Sequence, residues 1–339
     1  MNLRYTTYNL PFKHPFTISR GTKTHQPSLI VELDFFGTKG YGEAPAISYY
    51  NITVEKMIED IENKRAFLEK FSLTDPERYW HYLHHLFPVN SFLVCALDMA
   101  GWDIYGKLKK KQLHQLWNLD TDKMPLTDIT IGIDTIEKMV EKMNEQPWPI
   151  YKIKLGTSND IEIIRELRKH TTSIFRIDAN GGWKRDSALE KIHALKDLGV
   201  ELIEQPLDKD DWEGMKYLFD RSPLQLMADE SCVKESDVEK CSGYFHGINI
   251  KLTKCSGLTP ARRMISKARQ LGMSIMVGSM NESMIGTSAM AQLLPLIDYA
   301  DMDGPLLLAE DIAEGLEFNY GEMKYSSHFG IGIKYNLPA

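Results

Sequence analysis

Five charged residues recur along the chain, each near the end of a short apolar run. They are Lys154, Asp178, Glu204, Asp229 and Lys251. They follow one another at intervals of roughly 25 residues, about the length of one strand, one helix and two short loops in alternating α/β folds. The spacing therefore predicts that three carboxylates and two lysines meet at one end of a parallel barrel.

Eight short apolar runs, each followed by a helical pattern or a loop, predict β-strands from about residue 125 onward. The predicted strands are Leu126–Gly132, Tyr151–Gly156, Ile174–Asn180, Val200–Pro206, Gln225–Glu230, Gly247–Thr253, Ser274–Met280 and Asp298–Gly304. Amphipathic helices are predicted at Ile161–His170, at Ser187–Leu198 with Asp186 as its cap and Gly199 as its stop, and at Thr259–Leu271 with Gly272 as its stop. Eight strands that alternate with helices predict a closed parallel barrel.

The first 120 residues show the opposite order, with strands first and helices afterwards. The run SLIVELDFFG followed by TKGYGEAP predicts a hairpin with Gly37 and Gly40 near its turn. Helices are predicted at Thr53–Phe71, Asp75–Leu86 and Ser91–Tyr105. We therefore expect an α+β domain at residues 1–120 and a barrel at residues 121–315, with residues 316–339 packing back on the first domain.

Side chains alternate between the two faces of a strand, which assigns the charged residues to one side. In the run Tyr151–Gly156, Lys152 and Lys154 share a face, whereas Ile153 lies on the other. In a barrel the apolar face packs against the helices, so the charged face points into the barrel mouth. Burying so many charges is unfavourable unless they pair with one another or bind a metal.

Three carboxylates end three consecutive predicted strands: Asp178, Glu204 and Asp229. Hard oxygen ligands without His or Cys beside them suit Mg²⁺ better than Zn²⁺. The alternative is that each carboxylate caps a helix or pairs with a lysine. A zinc hydrolase on the same barrel is disfavoured because the strand ends lack the histidines that such a site prefers.

Lys154 and Lys251 fall on the second and sixth strands, which lie opposite each other in an eight-stranded barrel. Two bases on opposite sides of a substrate are what a racemase or epimerase needs, with the metal stabilising the enolate between the two proton transfers. Each lysine must be neutral for part of the cycle, and Lys152 together with a divalent cation would lower the pKa. The alternative is that the lysines only balance the carboxylates. Lys254 competes with Lys251, but it follows the strand and has no fixed direction.

Three further residues lie where a substrate could meet them. Asp301 and Asp303 share a face at the end of the last strand and could hold an ammonium group, or they form a loop or capping pair. Arg20 belongs to a glycine-containing loop of the first domain, where it could reach a substrate anion or remain solvated.

The composition is that of a globular protein, with 43% hydrophobic and 26% charged residues among 339. A formal net charge of −7 without a long basic run argues against nucleic acid as a partner. We expect no signal peptide and no membrane span, because no apolar stretch reaches the about 20 residues required. The four cysteines form no CxxC pair, which favours free thiols in a reducing cytoplasm. Oligomeric state is left open, with a homo-oligomer possible.

The chain resembles the enolase superfamily, in its muconate-lactonizing-enzyme subgroup. The strings that carry the resemblance are KIKLG, RIDANGGW, IEQPL, MADES, NIKLTKCSG and MVGSMNES, with ALDMAGWDIYGK in the first domain. The resemblance covers nearly the whole chain and implies an α+β capping domain on a modified TIM barrel, (β/α)7β. One departure is Cys255-Ser256-Gly257, where the family often has TGG or AGG.

The resemblance also implies roles for the charged residues. It implies Asp178, Glu204 and Asp229 as Mg²⁺ ligands, and Lys154 and Lys251 as the two bases. It implies substrate-binding roles for Lys152, at the substrate carboxylate, and for Thr130 and Ser279.

Within the subgroup, two strings are similar to those of dipeptide epimerases. In these enzymes the pair that matches Asp301 and Asp303 binds the free ammonium of the dipeptide. PFTISRG is similar to a cap loop of L-Ala-D/L-Glu epimerases in which an arginine meets the glutamate side chain, which implies that role for Arg20. The expected function is Mg²⁺-dependent epimerisation of a dipeptide such as L-Ala-D/L-Glu from peptidoglycan turnover. The alternatives are an o-succinylbenzoate synthase, an N-acylamino-acid racemase, a cycloisomerase, or a barrel that serves only as a scaffold.

Overall fold

The N-terminal part is an antiparallel sheet covered by helices. The computed structural model describes residues 1–18 and 21–336. Three strands form the sheet in the order β1–β2–β3: β1 Asn2–Ile18, β2 Gly21–Phe35 and β3 Thr38–Pro45. A 3-10 turn at Ser48–Tyr50 leads into α1 Val54–Lys70, α2 Pro76–Leu86, α3 Ser91–Lys109 and α4 Leu113–Leu116.

Local signals in this part largely act as the sequence predicts. The Thr53 side chain accepts from the Lys56 amide at the start of α1, and Asp75 accepts from the Glu77 amide at the start of α2. The hairpin turn lies at Phe36 and Gly37, both with positive φ, as a two-residue turn requires. Gly40 is not part of that turn: it lies in β3, where a Cβ would come within 2.3 Å of the α3 backbone.

The second part is the predicted barrel of eight parallel strands. They are β4 Ile129–Ile131, β5 Ile150–Lys154, β6 Ile174–Asp178, β7 Val200–Glu204, β8 Gln225–Ala228, β9 Gly247–Ile250, β10 Ser274–Gly278 and β11 Tyr299–Asp301. Each strand pairs with its sequence neighbours, and a parallel bridge between Thr127, two residues before β4, and Ala300 on β11 brings the two ends of the sheet together. The fold is therefore a nearly closed α/β barrel with an antiparallel sheet domain beside it.

Helices connect these strands on the outside. They are α5 Ile136–Glu145, α6 Asp160–Arg168, α7 Arg185–Asp197, α8 Trp212–Phe219, α9 Asp237–Cys241, α10 Leu252–Cys255, α11 Leu258–Gln270, α12 Met284–Ala291 and α13 Gly304–Leu307. Gly199 and Gly272 end α7 and α11 with positive φ, as predicted. The prediction that Asp186 caps α7 is wrong, because the cap position is Lys184 and Asp186 lies within the first turn.

The register of the barrel places the charged residues in one layer. Lys154, Asp178 and Glu204 are direct Cα partners across β5, β6 and β7. Their neighbours Ile153 and Ile177 are fully buried in the layer between strands and helices. Alternation along the strands thus directs the charged side chains into the barrel mouth, as predicted.

Residues 284–297 form a stretch with few polar side chains, and most of it is buried in the wall of the barrel. It forms α12 and a 3-10 turn at Leu294–Leu296, with every residue of α12 buried. Within residues 1–18 and 21–336, none of the helices has the length and apolarity that crossing a membrane requires.

The C-terminal segment contacts both parts of the molecule. It contains β12 Ala313–Glu314, β13 Glu317–Asn319, β14 Glu322–Lys324 and β15 Lys334–Tyr335. The Tyr335 hydroxyl lies 2.7 Å from that of Tyr8 on β1, and its ring packs against Tyr41 on β3. The buried Asp103 carboxylate of α3 accepts from the amide of Ile331.

Hydrogen bonds from two tryptophans connect the N-terminal helices to the segment that follows β9. The indole of Trp80 donates to the carbonyl and to the hydroxyl of Ser256, at 3.0 and 3.2 Å. Trp102 donates to the Thr259 hydroxyl, which in turn donates to the buried Asp98 carboxylate. Ser256 has a φ of 75°, a conformation that glycine adopts at lower cost. The hydroxyl contact with Trp80 is made by a serine at a position where the family that the chain resembles often has glycine.

Candidate active site

A cavity of about 260 Å³ lies between the barrel mouth and the N-terminal domain. Seven of the predicted site residues line it: Thr130, Lys154, Asp229, Lys251, Ser279, Asp301 and Asp303. The N-terminal domain closes it with Phe16 and Ile18 at the end of β1, with residues 21–23 at the start of β2, and with residues 47–50. The structure thus brings together residues that are up to 173 positions apart in the chain, as the Thr130–Asp303 hydrogen bond shows.

Lys154 and Lys251 lie on opposite sides of this cavity. Lys154 is the last residue of β5, and Lys251 directly follows β9, four strands away. The Lys154 ammonium donates to Asp178 at 2.6 Å, and that of Lys251 donates to Asp229 at 2.8 Å. Each lysine is therefore held by a carboxylate and lines the cavity.

The surroundings of Lys251 act on its pKa in both directions. Burial lowers the pKa, and Lys152 acts in the same direction, as the sequence suggested. Asp229 and Glu204 are the main groups that raise it, and the net shift is upward. The expected lowering, which included the charge of a bound divalent cation, stays a prediction.

Lys152 is placed differently from the other two lysines. It is 1% exposed and does not line the cavity. Its ammonium lies 2.5 Å from Asp301, 2.7 Å from Glu204 and 3.5 Å from Asp178. Burial lowers the pKa of Lys152, but these carboxylates outweigh burial and raise it. Lys152 therefore links the carboxylates of β6, β7 and β11 without lining the cavity.

Lys254 is not a second candidate base. It lies on α10, and its buried ammonium donates to a side-chain oxygen of Asp229 at 2.5 Å and to the Asp229 carbonyl at 2.6 Å. A further bond to the Cys232 carbonyl directs it away from the cavity. The preference for Lys251 over Lys254 agrees with this placement.

The three predicted metal ligands are buried and paired with lysines. Burial raises the pKa of Asp178, but Lys154 and Lys152 outweigh it and hold the pKa at about 2. Burial and Asp178 raise the pKa of Glu204 to about 7. No group of three or more His, Cys, Asp or Glu side chains in the described part of the chain is arranged to hold a metal ion. The ammonium groups occupy the space between the carboxylates instead.

The chemistry of the donor set nevertheless fits a hard divalent cation. Asp178 and Glu204 are adjacent partners across two strands, and Asp229 follows the third strand by one residue. Glu204 Oε2 lies 2.7 Å from the Lys152 ammonium, and its other oxygen accepts from the Asn249 amide group at 2.7 Å. Three buried carboxylates at neighbouring strand ends are a ligand set that Mg²⁺ prefers.

Asp301 and Asp303 have different surroundings. Asp301 accepts from Lys152, which with Lys154 and Lys251 lowers its pKa against the effect of burial. Asp303 accepts from the Thr130 amide at 2.6 Å, and burial together with Asp301 raises its pKa to about 6. Asp303 also lines the cavity, and no lysine or arginine among residues 1–18 and 21–336 lies within ion-pair distance of it.

A lysine of the N-terminal domain was missed by the sequence reasoning. Lys23 lines the cavity from β2, two residues after the loop glycine, and burial lowers its pKa. No carboxylate among residues 1–18 and 21–336 lies within ion-pair distance of Lys23, whose ammonium donates to Gln26 at 3.3 Å. Arg20, the predicted cation of this segment, lies outside the described residues. The sequence signal that pointed to Arg20, a cation beside a glycine-containing loop, applies to Lys23 as well.

Comparison with known protein families places the chain. Residues 2–117 match the mandelate racemase / muconate lactonizing enzyme N-terminal domain, and residues 134–339 match the enolase C-terminal domain-like family. The chain belongs to this family. The resemblance seen in the sequence motifs is thereby confirmed.

Individual relatives are similar over the full length of this family member. An L-Ala-D/L-amino acid epimerase from Flavobacterium johnsoniae is 53% identical over 98% of this chain and 99% of its own. A substrate-liganded L-Ala-D/L-Glu epimerase from Bacillus subtilis has a TM-score of 0.93 at 29% identity, covering 100% of this chain and 99% of that one. A dipeptide epimerase from Cytophaga hutchinsonii, in complex with Mg and D-Ala-L-Val, has a TM-score of 0.91 at 27% identity, covering 99% and 96%.

Proposed function

We propose that the protein is a Mg²⁺-dependent dipeptide epimerase that inverts the α-carbon of the C-terminal residue of its substrate. The observation that carries this proposal is the pair of lysines, Lys154 and Lys251, on opposite sides of one cavity. Relatives similar over nearly the whole chain are epimerases of this kind, which supports the reaction and the substrate class.

The two lysines exchange the roles of acid and base. With the α-carbon between them, one amine removes the α-proton from its face, and the opposite ammonium returns a proton to the other face. The configuration inverts because the two nitrogens approach from opposite sides. Asp178 and Asp229 orient the amines through the hydrogen bonds described above.

Asp178, Glu204 and Asp229 would hold the metal ion. When bound, Mg²⁺ would supply a positive charge that stabilises the negative charge developing on the substrate carboxylate. We assign to Lys152 a supporting role, in which its ammonium keeps Glu204 and Asp301 at a fixed separation.

The substrate ammonium would bind at Asp303, which follows β11, the last strand of the barrel. This carboxylate is buried, faces the cavity and has Thr130 as its hydrogen-bond donor. A substrate whose amine is blocked would leave the buried Asp303 carboxylate without a cation, which is unfavourable. The need for a free ammonium group favours a dipeptide epimerase over an N-acylamino-acid racemase or an o-succinylbenzoate synthase.

We expect Asp303→Asn to reduce kcat/KM for L-Ala-L-Glu by at least about 30-fold, because removing one partner of a buried charge pair costs about 2 to 5 kcal/mol. The measurement is α-proton exchange in D₂O by NMR, with N-acetyl-L-Ala-L-Glu as the matched substrate without an ammonium group. The wild type should prefer the free amine, and the variant should lose that preference. An unchanged preference would assign the ammonium to another site, and no exchange by wild type with any dipeptide would refute the function.

For the second residue of the dipeptide we propose an acidic side chain, as in L-Ala-D/L-Glu. Lys23 supports this choice, because it brings a cation to the cavity wall without a carboxylate partner among the described residues. Such dipeptides arise when peptidoglycan peptides are degraded, and four buried free thiols agree with a cytoplasmic enzyme.

Lys23→Met should lower kcat/KM for L-Ala-L-Glu by about fivefold, the effect of losing about 1 kcal/mol from one partly exposed ion pair. Turnover of L-Ala-L-Val should remain within about twofold. Lys39→Met is a suitable control, because Lys39 lies on the neighbouring strand, pairs with Glu32 and does not line the cavity. Equal losses for both dipeptides would contradict a role for Lys23 in selecting the side chain.

A further inference from the structure

One wall of the cavity is a short loop between β10 and α12, at residues 279–283. Ser279, Met280 and Asn281 of this loop line the cavity. The loop contributes neither of the two lysines nor any of the proposed metal ligands. Its position nevertheless decides the shape of the space in which a dipeptide would lie.

A carboxylate of the N-terminal domain holds the end of this loop. Glu43 on β3 is fully buried, and both of its oxygens accept from the Ser283 amide at 3.0 Å. Glu43 Oε2 also accepts from the Ser283 hydroxyl at 2.6 Å and from the Gly286 amide at 3.1 Å. All four contacts are donors, which is the environment that an ionised carboxylate requires.

These donors belong to the first turn of α12, whose amides have no partner within the helix. An anion at this end also interacts favourably with the helix dipole. Asp311 completes the turn from the C-terminal segment, where its two oxygens accept from the Met284 amide at 2.9 and 3.1 Å. Only Glu43, of these two carboxylates, binds a residue of the loop itself.

The other side of the loop is fixed by close packing. A Cβ on Gly304 would come within 2.2 Å of the Glu282 carbonyl oxygen, so that this position tolerates only glycine without displacement. Gly304 directly follows Asp303, the proposed ammonium ligand. Glu282 is itself buried, and its carboxyl accepts from the Met280 amide. Burial, followed by the nearby Glu43, raises the pKa of Glu282 to about 8. Burial also raises the pKa of Glu43, against the hydrogen bonds from Ser283 and Gly286 that lower it.

We infer that Glu43 is a positioning residue for substrate binding: it holds the loop at residues 279–283 against the barrel mouth, so that a strand of the N-terminal domain sets the shape of the dipeptide pocket. The inference rests on the proposed function only where KM and kcat are measured, because loop exchange can be measured without a substrate. Because the lysines and the metal ligands belong to other strands, a displaced loop should affect KM more than kcat.

Two measurements on Glu43→Gln test this inference. The amide cannot accept all four bonds, so hydrogen–deuterium exchange of the peptide containing residues 279–283 should accelerate at least about tenfold. In kinetics with L-Ala-L-Glu, KM should rise about tenfold with kcat within about threefold of wild type. Asp311→Asn is the matched control, since it removes a carboxylate from the same helix turn and should change neither loop exchange nor KM.

The outcomes separate this inference from the proposed function. Wild-type loop exchange in Glu43→Gln would overturn the inference whether or not the protein turns over any dipeptide. A fall in kcat at unchanged KM, or equal effects of Asp311→Asn, would also overturn it. Should Glu43→Gln not fold, Ser283→Ala removes only the hydroxyl donor, and it should raise loop exchange and KM in the same direction by about threefold. Unchanged values in that variant would refute the role of the contact.

Discussion

Replacing Lys154 with methionine should abolish epimerisation yet preserve α-proton exchange from one stereoisomer of the dipeptide. Lys251 would then be the only base, and it can remove a proton and return a deuteron on its own face alone. Inversion should fall by at least about 10³-fold, which corresponds to losing about 4 kcal/mol of transition-state stabilisation. Lys251→Met should show the complementary behaviour with the other stereoisomer. Proton NMR in D₂O combined with chiral separation of the products measures both quantities.

Lys216→Met is the control for the lysine variants, because Lys216 lies on α8 and pairs with Asp220 at the exposed surface. It should exchange and invert like wild type. If both single variants exchanged the same stereoisomer, or if either still inverted at a rate near that of wild type, the assignment of the lysines to opposite faces would be wrong. Because β5 and β9 are four strands apart in the barrel, each variant is expected to exchange a different stereoisomer.

Replacing Glu204 with glutamine should weaken Mg²⁺ binding by at least about 100-fold, since even residues that only support metal ligands contribute 10- to 100-fold. Isothermal titration of the protein with MgCl₂ measures this directly, without any substrate. Exchange of the dipeptide α-proton should fall by at least about 10³-fold, because the substrate carboxylate loses several kcal/mol of charge stabilisation.

Asp303→Asn provides the comparison for Glu204→Gln. It changes a buried carboxylate at the same barrel mouth that is proposed to bind the substrate rather than the metal. It should therefore bind Mg²⁺ with wild-type affinity while losing dipeptide turnover. Unchanged Mg²⁺ affinity in Glu204→Gln, or equal losses of affinity in both variants, would contradict the proposed ligand set.

Much of the barrel and its charged layer could be predicted from the sequence, because both depend on short periodic patterns. The interval between charged residues predicts the α/β units, and strand alternation predicts which side chains enter the mouth. The predicted strands extend beyond the observed ones at their C-terminal ends, as at β8 and β9, where Asp229 and Lys251 follow the last strand residue. There the chain already turns toward the next helix, and the β-propensity of the residues does not indicate where the strand ends.

The rest depends on distances between segments far apart in the chain. Lys152 shares a strand face with Lys154, yet only the assembled barrel shows that it lies beneath the cavity floor among three carboxylates. The sign of the pKa shift at Lys251 depends on the same distances. Lys23 and Glu43 are single charged residues in β-strand patterns of the first domain, and no local signal states that one faces the cavity while the other reaches α12.

The hydrogen bonds from Trp80 to Ser256 have a consequence for protein engineering. They connect α2 to the turn five residues after Lys251, and the Trp102–Thr259–Asp98 contacts connect α3 to the start of α11. The N-terminal domain and the barrel are thus not interchangeable modules. A chimera could combine this barrel with the first domain of another family member in order to transfer side-chain selectivity. Such a chimera would have to keep Trp80 and Ser256 together. Without the tryptophan, the Ser256 hydroxyl and carbonyl would lose their hydrogen-bond donor five residues after Lys251.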